Sequence, residues 1–340
     1  MLGRKPNMHA PVLVVNAGST SLKLSLVDLD DHSQQLASFG AARGRAGAVA
    51  HRVVHGGERF TEPVVVDAAV EAELTRLIEL APLHNAPALD AIRAAREALP
   101  DLPHVAVFDT AFHRTMPFEA TTYALPQRFR EEWGIRRFGF HGLSVEWAAL
   151  NVRVLRLVVC HLGGGCSVTA VREGRSVDTT MGFTPLEGVP MATRSGSVDP
   201  GALLHVLRNG LLSVAELDRA LEHESGLTGL GGSDDPRALA GSVALDVYTY
   251  RIATAVGAMA TALGGLDGLV FTAGVGEHSA DVRARVCARL GFLDVELDRA
   301  RNDAAEPDAD VEEAGSRVRI VVLHAREDVV AARHARRALS

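Results

Sequence analysis

Two stretches of this chain share a pattern that few folds accommodate: an apolar run, a loop of small residues, then a second run of β character. In the first, residues 12–15 (VLVV) are apolar and continuous, as in a buried strand. The polar loop 16–21 (NAGSTS) follows, and Leu22, Leu24 and Leu26 then interleave with Lys23, Ser25 and Val27 as in a strand paired to the first. In the second stretch, Leu157–Val159 is apolar, residues 161–167 (HLGGGCS) form a turn, and Val168, Ala170 and Arg172 resume a strand before Glu173-Gly174. Superposing Gly18 on Gly163 aligns the two hairpins. A strand running into small residues also recurs at 105–111 (VAVFDTA) and 269–276 (LVFTAGVG). Each half thus holds a hairpin with an anion-friendly loop and a later strand ending at a functional turn. The expected architecture is two related α/β domains facing across a cleft, with a boundary near 148–155.

Helical periodicity is clearest at 67–81, 87–98, 213–224, 240–263, 279–290 and 327–338. In the first, Val70, Leu74, Leu77 and Ile78 form an apolar stripe, with Pro82 expected to end it. Ser213 and Glu216 spell a capping box for the third. Residues 301–317, rich in Asp, Glu and Ala, read as a solvated connection before a strand at 318–323.

Composition narrows the function classes. At 340 residues with 47% apolar and 23% charged side chains, the chain is an ordinary globular protein with room for two cores. A formal charge of -7 argues against a general nucleic-acid binder. The early apolar run stops at Asn16, too short for a membrane span and poor as a signal peptide. Three cysteines (Cys160, Cys166, Cys287) without metal-ligand spacing, and 14 histidines without a zinc pattern, suggest a reducing cytoplasm and no structural metal.

Several polar residues sit in glycine-rich or apolar surroundings. These are His51, Arg52 and His55 before Gly56-Gly57; Asp109 at the end of strand 105–108; His141 between Gly139 and Gly142; Arg194 in a small-residue loop; and Gly274-Val275-Gly276-Glu277 after another strand. The last setting suits phosphate held on backbone N–H groups. There is no GxxxxGK[ST], no GxGxxG after the first strand and no nucleophilic-serine elbow. Cations, histidines and acids arranged this way suit phosphoryl transfer, which needs charge neutralisation, a magnesium-binding group and little covalent machinery.

At these residues the chain resembles the acetate kinase family. The matching words run in order: VLVVNAGSTSLKLSL (12–26), HRVVHGGERF (51–60), APLHNAP (81–87), FDTAFHRTMP (108–117), RRFGFHGLS (136–144), CHLGGGCSV (160–168), DTTMGFTPLEGVPMATRSGSVDPG (178–201) and FTAGVGEHSADVR (271–283). The resemblance implies a duplicated ribonuclease H-like, actin-like ATPase fold. Its first domain would be 10–148, completed by a C-terminal helix at 327–339, and its second 149–326. It implies the reaction ATP + acetate = ADP + acetyl phosphate in the cytoplasm, with Mg2+ (or Mn2+) as cofactor, ATP/ADP as substrate and a homodimer joined through the second domain. Propionate or another short-chain acid is the alternative acceptor, and a weakly active nucleotide-binding regulator the alternative class.

The same resemblance implies residue roles. Asn16 and Glu327 would hold magnesium, with Asp328 an adjacent competitor. Ser21 and Lys23 would face the phosphates. Arg52 and Arg194 would grip the carboxylate and the transferring phosphoryl group, Asp109 would orient an arginine, and His141 would hydrogen-bond the phosphoryl group. His161 and Gly163, Gly164 and Gly165 would form a phosphate loop. Asp235, Pro236 and Arg237, together with Gly274, Val275, Gly276, Glu277 and His278, would line the nucleotide. Val54, Leu83, Phe140 and Pro185 would enclose the substrate methyl, beside His84.

The chain also departs from the family. The stretch from Asn16 to Arg52 is less than half the family's length, so most of a helical portion is missing there. HGTSH becomes HGLSV at 141–145, HLGNG becomes HLGGG at 161–165, GIGEN ends in His278, and Pro236 stands in the nucleotide segment.

Overall fold

The computed structural model describes residues 10–18, 22–80 and 82–340, with side chains for all of these except 80 and 82–84. The chain divides into two compact units. One comprises Met1–Arg114, Phe140–Trp147 and Arg326–Ser340, the other Thr115–Gly139 and Ala148–Ala325.

The first unit is built on strands β1 (Val12–Ala17), β2 (Leu22–Val27), β3 (Ser33–Leu36), β4 (Ala48–Val53), β5 (Val64–Val65) and β6 (His104–Phe108), in the order β3-β2-β1-β4-β6-β5. β1 pairs antiparallel with β2 and parallel with β4, and β4 pairs parallel with β6. Helix Pro82–Ala98 contributes Ala91 and Ala95 to a cluster with Leu13, Val15 and Val49, and Leu89 and Ile92 to one with Val53, Ala106 and Phe108. The C-terminal helix Glu327–Leu339 packs on β1, β4 and β6 through a face that includes Val329, Val330 and Ala332. With helices on both faces, the parallel strands are buried on both sides. The unbroken apolar run of β1 follows from that.

The second unit repeats this plan with β7 (Arg156–Leu162), β8 (Cys166–Arg172), β9 (Arg175–Thr179), β10 (Gly268–Thr272), β11 (Ala309–Asp310) and β12 (Arg319–Val322), in the order β11-β12-β10-β7-β8-β9. β7 is antiparallel to β8, while β7, β10 and β12 run parallel. Read from the opposite edge, the list superposes β7–β8 on β1–β2, and β10 and β12 on β4 and β6. The duplication expected from two aligned glycine hairpins is a duplication of topology. Helix Val243–Leu263, capped by Ser242 and closed by Gly264, covers this sheet with Leu245, Tyr248, Ile252, Val256, Met259 and Leu263 at helical spacing.

Four local expectations change. Helix 67–81 is an α-helix only over Ala68–Arg76 and continues as a 3-10 turn to Leu80. Pro82 opens the next helix instead of ending this one; a missing N–H costs nothing at a first helical position. The acidic run after 301 is partly structural. Asp310 pairs with Arg319 at 2.8 Å, Glu312 accepts from the Ile320 amide at 3.0 Å, and Val311 and Asn302 are fully buried. Residues 115–139, expected in the first half, belong to the second unit. There Arg137 donates to the Thr180 carbonyl and Phe138 N to the Gly182 carbonyl, while the Thr115 hydroxyl donates to the Ser176 carbonyl. Among the described residues no helix is long and apolar enough to cross a membrane.

Candidate active-site residues of the two units

In the first unit, functional side chains gather at the carboxyl ends of the parallel strands, the usual ligand edge of an open α/β sheet. Register places Lys23 opposite Asn16 and Asn16 beside Arg52, one row across β2, β1 and β4. Asp109 follows β6 directly. Its carboxylate takes Arg52 in a two-pronged pair, Nε to Oδ1 at 2.9 Å and Nη2 to Oδ2 at 2.6 Å. The other edge of the guanidinium meets Asn16 Oδ1 and Glu327 Oε2, both 3.2 Å from Nη1. Asp109 is 1% exposed. Burial works against the Arg52 charge, but Asp109 and then Glu327 outweigh it and push the pKa up. Asp328 turns elsewhere, accepting from the Ser33 hydroxyl at 2.5 Å. Ser21 and the side chains of Leu83 and His84 lie outside the described residues.

Residues 140–144 dock onto the turn after β6. Gly142 N donates to the Asp109 carbonyl at 3.0 Å, and a Cβ at Gly142 would lie 2.0 Å from that oxygen, so only glycine fits. His141, just before it, has φ of 59°, a left-handed conformation that costs energy and recurs at functional turns. Phe140 is buried edge-on to His55, and its carbonyl accepts from His113 Nε2 at 2.9 Å. Burial drives the His113 pKa down to about 4 against the opposing pull of that carbonyl and Asp109, which keeps it neutral. Asn85 bridges the backbone N–H and C=O of His55, fixing the turn that carries Val54. Sequence reasoning assigned no role to His113 or Asn85, though both lie inside family words.

The second unit offers mostly backbone. His161 ends β7, and Gly163 N bonds the Gly165 carbonyl at 3.0 Å. Cys166 pins the loop, lying 3.4 Å from the Gly163 carbonyl and 3.3 Å from the Tyr248 hydroxyl; burial pushes its pKa up to about 11. After β10, residues Gly274, Val275, Gly276, Glu277 and His278 form the short helix Ala273–His278. The Glu277 side chain is not offered outward. It is buried and accepts from the Ala325 amide at 2.9 Å, with His324 Nδ1 at 2.7 Å. Arg283, 1% exposed, reaches the carbonyls of Gly276 and Glu277 and both oxygens of Asn302. Arg283 and Asn302 are braces that no pattern in the sequence announced.

Asp235 caps the 3-10 turn Pro236–Leu239 and pairs with Arg237 at 2.9 Å. Pro236 occupies a first helical position, so it gives up no needed N–H. Pro185 is buried in this unit. Arg194 projects from the 191–196 loop and pairs through Nε with Glu222 Oε2 at 2.7 Å. A cavity of about 700 Å3 opens in this unit beside Arg137, Asp178, Ser195, Arg251 and Met259, and none of the residues assigned above lines it.

Among the described residues, one acidic cluster has metal-like spacing: Asp28, Asp30 and His32. Its atoms are spent on a turn, with Asp28 Oδ1 accepting from the Asp30 and His32 amides at 2.9 Å. Asn16 and Glu327 are the better magnesium candidates. Both are hard oxygen donors of the kind Mg2+ takes, and here they meet on the Arg52 Nη1 cation, which an ion bound between them would displace.

A profile of the Acetokinase family matches residues 42–333. The chain belongs to this family. An acetate kinase of Leifsonia xyli subsp. xyli is 42% identical over 392 aligned residues, covering 97% of this chain and 99% of the relative. That alignment exceeds 340 residues, so it must open gaps in this acetokinase-family chain, as its departures imply. Among solved structures, a propionate kinase from Francisella tularensis superposes with TM-score 0.89 at 31% identity, covering 96% of this chain and 99% of the other. The Porphyromonas gingivalis acetate kinase gives 0.87 at 31%, covering 97% and 100%. The α/β fold with mixed sheets is therefore that of the acetate and propionate kinases.

Proposed function

We propose that this chain is an acetate kinase, a phosphotransferase with a carboxyl acceptor that interconverts ATP plus acetate with ADP plus acetyl phosphate. The observation that carries the reading is Arg52, locked by Asp109 with Asn16 and Glu327 at its other edge, in a member of the acetokinase family.

A carboxylate attacks phosphate poorly because like charges must approach. Arg52 and Arg194 neutralise both partners and orient them in line. An acetate oxygen forms the new P–O bond as the bond from the γ-phosphorus to the bridging oxygen of ADP breaks, and ADP leaves with that electron pair. Acetate arrives deprotonated, so no general base is needed and Asp109 serves as an orienting group. His141 hydrogen-bonds the transferring phosphoryl oxygens. Lys23, His161 and the N–H groups of Gly164, Gly165 and Gly274–Gly276 support the nucleotide phosphates. Segment 235–237 and Glu277–His278 border the base and ribose. Asn16 and Glu327 would hold Mg2+, which supplies charge neutralisation on the phosphate oxygens.

By family resemblance, Val54 and Phe140 would border the methyl. One methylene is worth only about 1–3 kcal/mol, so acetate over propionate is a preference of degree. The reading carries with it a cytoplasmic homodimer. Its test is ATP formation from acetyl phosphate, ADP and Mg2+, beside Arg52→Ala and Arg194→Ala controls. The expected result is turnover that either substitution cuts by roughly 1,000-fold to a measurable residual rate; nucleotide binding with no arginine-dependent ATP would sink it. Propionyl phosphate in the same assay ranks the acyl groups.

A further inference from the structure

We propose that Glu222 is a positioning residue that holds the Arg194 guanidinium in place for phosphoryl transfer. This rests on the role given to Arg194 above and extends it to a residue outside every family word. Glu222 lies in the last turn of helix Val214–His223, whose start is tied by the Ser213–Glu216 capping box. None of its residues is fully buried, so the helix adds little to the core. Its far end is laced to the arginine loop instead. Ser195 N donates to the Leu221 carbonyl at 3.0 Å, and the Thr193 hydroxyl to the Glu222 carbonyl at 2.8 Å.

The residues after the helix return to the loop from the other side. Ser225 N, Leu227 N and Thr228 N donate to the carbonyls of Thr193, Met191 and Ala192. Gly226 makes that return with φ of 62°, and a Cβ there would lie 2.2 Å from the Met191 carbonyl.

On this backbone lattice the two side chains meet. Glu222 Oε2 lies 2.7 Å from Arg194 Nε, with the side chains 15% and 17% exposed. Glu222 Oε2 makes no hydrogen bond, so the contact is a close charge pair that holds the guanidinium against the helix end. Asp109 holds Arg52 more tightly, by two hydrogen bonds. Arginine on a four-bond stem loses much rotamer freedom when ordered, and a partly buried partner on a capped helix meets that cost before substrate arrives.

The experiment is a double-mutant cycle on the intact chain, measuring kcat and KM for ADP and acetyl phosphate. Glu222→Ala should lower kcat by about 10- to 100-fold, the scale of a small misplacement, with KM for ADP unchanged. Glu222→Gln, which keeps the shape but drops the charge, should lose rate nearly as alanine does. In an Arg194→Ala background Glu222→Ala should cost nothing more, since a residue acting only through another loses its effect with it. Should Glu222→Ala fail to fold, Glu222→Asp carries the test: charge without reach should lose the rate as alanine would. Losses that multiply in the double variant, or wild-type kcat in the single variants, would overturn the assignment. Wild-type kcat in Arg194→Ala alone would instead remove the underlying role of Arg194.

Discussion

The two sheets share one strand order yet end in opposite kinds of chemistry. At the first, side chains do the work: Lys23, Asn16 and Arg52 in a row, closed by Asp109 and Glu327. At the second, the strand ends give way to glycine loops, proposed above to act through backbone N–H, while the charged side chains Glu277 and Arg283 turn inward as braces. One scaffold thus serves two tasks. Localised charge can be matched to one carboxylate, whereas a backbone cradle suits phosphate. Damage should follow the same division, through electrostatics in one unit and loop geometry in the other.

The largest break comes from Asp109→Ala. It leaves a largely buried guanidinium without its bidentate partner, at about 3 kcal/mol of stability, and misorients Arg52. Turnover should fall on the order of 1,000-fold, with the urea midpoint lowered alongside. If Asp109 were a dispensable surface acid, both would stay put. Next is Arg283→Met in the second unit. Carbonyls of Gly276 and Glu277 lose their donor, each at roughly 1–3 kcal/mol, and the Gly274–His278 loop loosens. KM for ADP should rise while KM for acetyl phosphate holds; equal rises in both would blur the contrast between the two ends.

A third test uses acid. His51 Nε2 and His104 Nδ1 lie 2.9 Å apart, and His104 Nε2 lies 3.1 Å from the Leu99 carbonyl. That chain of bonds needs both rings neutral, with His104 donating to the carbonyl and accepting from His51. Burial lowers both pKa values, helped for His51 by His104 and for both by Arg96, and it holds His113 at about 4. Below the unfolded value near 6.5 the unfolded chain takes up protons that the folded first unit refuses. Stability is therefore full above that pH and falls as pH drops towards 4, by up to about 1.4 kcal/mol per unit for each histidine. Urea midpoints between pH 7.5 and 5 give the slope, and His51→Val should flatten it. A flat wild-type profile would refute the neutral pair.

The smallest expected effect is a gain. Gly164 has open space where a Cβ would stand, so Gly164→Asn should fold normally. A polar side chain there could add one hydrogen bond to nucleotide, about 1 kcal/mol and roughly a five-fold lower KM for ADP. An unchanged KM would mean that the backbone cradle alone sets affinity in this loop.

What was legible beforehand follows the same contrast. Continuous apolar strands, the capping box at Ser213 and the order of the motifs could be read directly, because each is a local pattern. The Arg52–Asp109 pair was reachable through family words. Glu222 and Asn302 were not: each meets its partner across loops whose lengths say nothing about where they close. The acidic stretch before β12 is solvent-facing as read, with Asp308 and Asp310 exposed, but its bonds were not legible: Asp308 accepts from the His324 amide, Asp310 pairs with Arg319 and Glu312 takes the Ile320 amide. Pro82 misled because proline ends one helix and begins another with equal ease.

The C-terminal helix has a consequence in time. Arg333 on that helix bonds Asp31, 302 positions earlier in the chain. At about 5–20 residues per second, the ribosome delivers that arginine roughly 15 to 60 s after the aspartate. Throughout that interval the first sheet exists as nascent chain with one face uncovered, while the whole second unit is made and free to fold. Glu327 follows the whole second unit in the chain, so Arg52 is made with Asp109 but without its carboxylate at Nη1 until that unit has been synthesised.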